Sequence, residues 1–184
     1  CRQCQAWGTL AEVGASAGLA KTAVRTPIQA AQPISQVSAE SAQARPSGVG
    51  ELDRVLGGGI VPGAVILLAG EPGVGKSTLL LTVAANAARQ AKLTGAGSVL
   101  YITGEESASQ VRLRAARIDA LADNLLLAAE TELGAVLGQV EQANPALLIV
   151  DSVQTIASAD VEGSAGGTSQ VRAVAAAIIA LAKE

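Results

Sequence analysis

Gly70-Glu71-Pro72-Gly73-Val74-Gly75-Lys76-Ser77 is the stretch that decides the fold. It fits G-x-x-x-x-G-K-[ST] at every fixed position. An apolar run, residues 64–69, precedes it, and residues 76–91 follow with helical character until Gly95-Ala96-Gly97 breaks them. A buried strand, a glycine-rich turn and a helix, in that order, form the setting in which backbone amides cradle phosphates. Gly70, Gly73 and Gly75 allow backbone angles that a Cβ forbids, so successive N–H groups turn inward. Glu71, Pro72 and Val74 complete the loop around the nucleotide. Lys76 brings a point charge to the β- and γ-phosphates of ATP. Ser77 offers a hydroxyl to Mg²⁺, an ion that keeps several waters and takes few protein ligands. Thr78 is expected at the α-phosphate. The plainer alternative, a chance glycine turn in front of a helix, does not call for the Lys-Ser pair at this spacing or for the apolar run before it.

Outward from the loop, short apolar runs alternate with helical patterns. Residues 98–103, 124–128 and 146–150 read as further buried strands. Residues 107–116, 133–142 and 173–183 read as helices between and after them. Upstream, Val49, Leu52, Val55 and Leu56 have helical spacing and meet a stop at Gly57-Gly58-Gly59. Strands alternating with helices imply an α/β fold with a mostly parallel sheet flanked by helices. A Gly/Ser-rich loop, residues 158–168, stands between the last strand and the last helix.

Two acidic positions fall at strand ends. The run Leu147-Leu148-Ile149-Val150 closes on Asp151. At the carboxyl end of a parallel strand that acid faces the ligand crevice, where it accepts from a Mg²⁺-bound water opposite Ser77. Glu105 and Glu106 follow Gly104 at the end of another strand. Hydrolysis needs a group that positions the attacking water, and a carboxylate at a neighbouring strand end is placed for it. Glu105 is favoured over Glu106. The two could couple, one raising the other's pKa, or could simply complement a helix N-terminus. Lys76 belongs to the catalytic set through its charge.

Composition narrows the class. The 184 residues are 49% hydrophobic, enough for one sizeable core, yet Trp7 and Tyr101 are the only aromatics. Small aliphatic residues suit close packing of helices on a sheet. No His is present, so imidazole acid–base chemistry and His metal ligands are excluded within these residues. The net charge of −3 does not announce a nucleic-acid binder, so a DNA contact has to come from a local surface or from several subunits together. No basic-then-apolar leader opens the sequence and no apolar run is long enough to span a bilayer, which points to a cytoplasmic protein without membrane contact. Residues 1–10 carry both Cys. Residues 11–46, rich in Ala, Ser, Gln, Thr and Pro without periodicity, read as a flexible linker. Residues 47–184 carry the core. A first residue that is Cys and a last helix with no strand after it lead us to expect a fragment, truncated at the C-terminus.

Several stretches together resemble the bacterial RadA (Sms) family of RecA-like ATPases. They are Gly48-Val49-Gly50-Glu51-Leu52-Asp53-Arg54-Val55-Leu56-Gly57-Gly58-Gly59, the phosphate loop running into Ser77-Thr78-Leu79-Leu80-Leu81, Tyr101-Ile102-Thr103-Gly104-Glu105-Glu106-Ser107, Val150-Asp151-Ser152-Val153-Gln154-Thr155, and Ser169-Gln170-Val171-Arg172. The resemblance implies a RecA-like P-loop NTPase core that hydrolyses ATP and assembles as a homo-oligomer, expected to be hexameric. It implies a helicase-like role in DNA repair and recombination on single-stranded or branched DNA. By the same resemblance, residues 158–168 correspond to a DNA-facing loop whose Gly and Ser content fits a mobile segment. Cys1-x-x-Cys4 followed by Trp7 matches the second half of the family's zinc module. Cys1 and Cys4 are then a Zn²⁺ half-site whose other ligands lie outside this sequence, since a closed structural site needs four. The strand, the Lys-Asn-Arg-Phe-Gly motif and the Lon-like domain that the family has further on are expected beyond residue 184.

Two other classes compete. A RecA-like ATP-binding switch or autokinase that does no DNA work also pairs two glutamates after this strand, but lacks a zinc module. A small-molecule kinase would need an acceptor pocket and a lid, and the sequence suggests neither.

Overall fold

The structure is a computed structural model that describes residues 31–38 and 42–183. The chain divides into two units, Cys1–Ser38 and Ala39–Glu184. In the first, the described residues are exposed and hold one 3-10 turn, Ile34–Gln36. The readings on Cys1, Cys4 and Trp7, and most of the linker, lie outside the described residues.

The second unit contains five α-helices and three strands among its described residues: α1 Gly50–Val55, α2 Lys76–Thr94, β1 Val99–Thr103, α3 Ala108–Arg117, β2 Leu125–Ala129, α4 Leu133–Ala143, β3 Leu147–Asp151 and α5 Thr168–Leu181. The strands form one parallel sheet in the order β2-β1-β3. Leu100 pairs with Leu126 on one side and with Leu148 on the other. Every residue of β1 is buried, so that strand reads as a continuous apolar run rather than an alternation, as a central parallel strand must.

The two faces of the sheet carry separate cores. Val99, Tyr101 and Ile149 pack with Leu81, Ala84, Ala85 and Ala88 of α2 and with Val111 and Ala115 of α3. Leu81, Ala84, Ala85 and Ala88 fall at i, i+3, i+4 and i+7, one stripe of a helix. Three of the four are alanines, which lets the helix backbone approach the strands closely. On the opposite face Leu100 and Ile102 pack with Leu133 and Val136 of α4, Ile156, and Val174 of α5.

Local chemistry sets the element ends. α2 starts at Gly75 and stops at Gly95, both left-handed. Ser107 and Gln110 form a capping box at the start of α3. The Glu132 carboxylate accepts from the N–H groups of Gly134 and Ala135 at the start of α4. α1 is tied down by Ser47, whose N–H donates to Asp53 Oδ1 at 2.7 Å. Those hydrogen bonds hold the Asp53 carboxyl below its ordinary pKa.

One expected element is absent. Residues 64–69 form no strand and pair with nothing. Val65, Ile66 and Leu67 are 46%, 46% and 80% exposed. A strand exists only by joining a ladder, and the outer edge of β3 and residues 64–69 line one open cleft of about 2390 Å³ without pairing. The apolar run marks a segment suited to burial, but no described strand lies alongside it. The last helix also begins earlier than its periodicity suggests, at Thr168 rather than residue 173.

Candidate nucleotide-binding site

The sheet topology creates the site. From β1 the chain runs to α3, on the α2 face, whereas from β3 it runs to α5, on the other face. Neighbouring strands whose connections leave to opposite sides open a crevice at their carboxyl ends. Glu105 and Glu106 follow β1 at that end, and Asp151 closes β3 there. Asp151 is two residues beyond Ile149 and so shares the face on which α2 packs. The phosphate loop and the first turn of α2 line the same cleft as Glu105 and Asp151.

The loop has the backbone its residues call for. Gly73 and Gly75 have φ of +81° and +93°, and a Cβ at either would meet open space, so backbone angle, not crowding, requires glycine. The first bonded amide of α2 is Leu79 N–H, which donates to Gly75 O at 2.9 Å. Among the described residues, the N–H groups of residues 73–78 have no backbone acceptor. They are a set of donors at a helix N-terminus, which suits an anion. The Lys76 ammonium donates to Gly70 O at 2.8 Å and Glu71 O at 2.7 Å, folded back over the loop that a triphosphate would occupy. A phosphate bound by Lys76 would have to replace these two carbonyl partners. Lys76 and Ser77 are half-buried, and Thr78 is exposed.

The acidic groups each have a defined donor. Tyr101 Oη donates to Asp151 Oδ2 at 2.7 Å across the sheet. Burial first, then this hydrogen bond, pushes the Tyr101 phenol far above its ordinary pKa, so it remains a donor. Ser152 Oγ donates to Glu105 Oε1 at 2.7 Å. Glu106 is held by Arg114 of α3, with its N–H donating to Thr103 Oγ1 at 3.2 Å. Gly104 makes the approach of the two strand ends possible. A Cβ there would lie 2.0 Å from Thr155 Oγ1, and its N–H donates to Asp151 O at 3.0 Å.

The donor set fits a magnesium nucleotide. Ser77 and Asp151 would offer hard oxygen atoms of the kind Mg²⁺ takes, with phosphate oxygens and water making up the rest. Among the described residues no group of three or more His, Cys, Asp or Glu side chains is placed to hold a metal ion by itself.

Sequence reading missed four participants: Tyr101, Ser152, Arg114 and Gln170. Tyr101 looked like one more apolar residue of a buried strand, although a buried phenol nearly always finds a partner, and that was the available signal. Gln170 lay before the expected helix at residues 173–183 and stood out only as part of the motif Ser169-Gln170-Val171-Arg172. It is 1% exposed and accepts from Ser158 N–H at 2.8 Å, while donating to the carbonyls of Ser158 and Gly163 at 3.1 and 3.2 Å and to that of Val161. Gln170 thus ties down the first half of the loop at residues 158–168.

A glycine-rich loop opening a helix, on an α/β sheet, defines a P-loop NTPase. The chain belongs to the AAA domain family, whose model matches residues 30–184. The resemblance to RadA drawn from the motifs is borne out. The DNA repair protein RadA of Mycobacterium tuberculosis strain H37Rv is 50% identical over all of this chain. RadA of Listeria monocytogenes and of Streptococcus pyogenes serotype M1 are each 40% identical, also over all of it. The chain spans 38%, 39% and 40% of those three relatives' lengths. Among the described residues, no helix is long and apolar enough to cross a membrane.

Proposed function

We propose that this chain is the ATP-binding and ATP-hydrolysing core of a cytoplasmic DNA repair factor. The observation that carries the reading is the set of N–H groups at residues 73–78, flanked by Lys76, on the same cleft as Asp151 and Glu105. The amides of the loop and the Lys76 ammonium bind the β- and γ-phosphates. Ser77 and Asp151 would hold a Mg²⁺ ion, which would supply charge neutralisation at the phosphates. Glu105 positions the attacking water and accepts its proton; its tie to Ser152 keeps it at the mouth of the crevice. Glu106, committed to Arg114, anchors α3 instead.

The similarity of all of this chain to part of proteins named for DNA repair supports the larger setting: recombination and branch migration, helicase-like, on single-stranded or branched DNA. In that setting the protein works as a hexamer, and Cys1 and Cys4 complete a zinc module with an upstream Cys pair.

The test is ATP turnover by the full-length protein. Lys76→Ala should lower it about a hundredfold or more, the scale of losing a principal charge stabiliser of the transition state. Turnover at the wild-type rate would remove the phosphate-loop assignment. Single-stranded DNA should accelerate the wild-type ATPase. A rate indifferent to DNA would favour an ATP-driven switch.

A further inference from the structure

Asp151 does not stand free at the end of β3. We infer that Tyr101 is a positioning residue for the metal site, its hydroxyl fixing the Asp151 carboxylate in the orientation that presents the other oxygen to Mg²⁺. The inference rests on the Asp151 reading above and goes one residue behind it.

Tyr101 sits in the middle of the central strand, two residues before Thr103, and Thr103 pairs with Asp151. Residues two apart on a strand share a face, so Tyr101 is the diagonal neighbour of Asp151 on the α2 side, a separation an aromatic side chain can span. Tyr101 belongs to the buried cluster that includes Leu81, Ala84, Ala85, Ala88 and Ile149. It is 1% exposed, so its hydroxyl has one fixed location. The bond of 2.7 Å goes to Oδ2, while Oδ1 has no hydrogen-bond partner among the described residues. A carboxylate at a strand end could rotate about its last torsion. A rigid donor on one oxygen selects one rotamer and leaves the second oxygen for the metal shell. The ring also carries this constraint into the packing beneath α2, the helix that starts with Lys76 and Ser77. Outer-shell donors of this kind commonly alter metal affinity by about ten- to a hundredfold.

The experiment uses the full-length protein with Mn²⁺ as the probe, titrated by electron paramagnetic resonance in the presence of a non-hydrolysable ATP analogue. Asp151→Asn should abolish most protein-dependent Mn²⁺ binding. Tyr101→Phe should weaken it by about tenfold. Affinity for the nucleotide in EDTA and the melting temperature without metal should stay near wild type. Tyr101→Met, which lacks the hydroxyl and fills the cavity differently, should reproduce the metal effect and serves if the Phe variant does not fold. Unchanged Mn²⁺ binding in Tyr101→Phe, with loss in Asp151→Asn, overturns the role of Tyr101 alone. Unchanged binding in Asp151→Asn overturns the Asp151 assignment beneath it. Equal losses of metal-free nucleotide affinity and metal binding in both Tyr101 variants reduce the residue to a packing role and also overturn the inference.

Discussion

At the scale of single residues, the crevice separates two adjacent carboxylates by giving them different partners. Glu105 is exposed and bonded to the Ser152 hydroxyl, a neutral donor that leaves its charge available. Glu106 is half-buried against the Arg114 guanidinium. A carboxylate held by a guanidinium is committed to that partner and is not free to orient a water. Glu105→Gln in the full-length protein should therefore keep ATP affinity while slowing steady-state hydrolysis by about 10²- to 10⁴-fold. Glu106→Gln should cost less than tenfold in turnover and show instead as about 1–3 kcal/mol of lost stability by urea titration. A reversed pattern in the two variants would transfer the water-positioning role to Glu106.

At the scale of elements, the connection from β3 to α5 shows how one buried amide organises a loop. Gln170, in the first turn of α5, reaches back to the backbone of Ser158, Val161 and Gly163. Composition gives that loop little reason to hold a shape, since Gly163, Gly166 and Gly167 maximise its entropy. The order comes from satisfying polar groups that would otherwise be buried without partners. Gln170→Ala should cost about 2–3 kcal/mol in chemical denaturation. It should also open residues 158–167 to limited proteolysis, read by mass spectrometry of the nicked products. Protease resistance equal to wild type would mean that the loop is held by something else. The 3-10 turn Val153–Thr155 is a second such device. Its Thr155 packs where a Cβ of Gly104 would stand, which joins the ends of β1 and β3.

At the scale of the whole molecule, one of the two outer edges of the sheet shares a cleft with an unpaired apolar segment. The outer edge of β3 and the apolar residues 64–69 face one cleft without pairing. An unpaired strand edge beside exposed Val65, Ile66 and Leu67 is a template for association with another chain. Residues 1–184 expressed alone should scatter light as concentration rises, and Leu67→Lys should raise the soluble concentration on the order of severalfold. Its thermal midpoint should hold, because exposed substitutions change stability by only about 0.5 kcal/mol. Equal aggregation of the two forms would place the sticky surface elsewhere.

The sequence by itself determined the phosphate loop, the three paired strands and the helices between them. These are local or periodic signals: glycines where angles demand them, and apolar runs. It also determined the resemblance to RadA, because several motifs occur in order. Tertiary structure alone decided which side chains meet. Tyr101 with Asp151 are 50 positions apart and Glu105 with Ser152 are 47 apart, and only the β1–β3 register brings each pair together. The same dependence explains the failed strand at residues 64–69. Hydrophobicity marks a segment as fit to be buried, but a strand is a relation between two backbones, and its partner cannot be read from the segment itself.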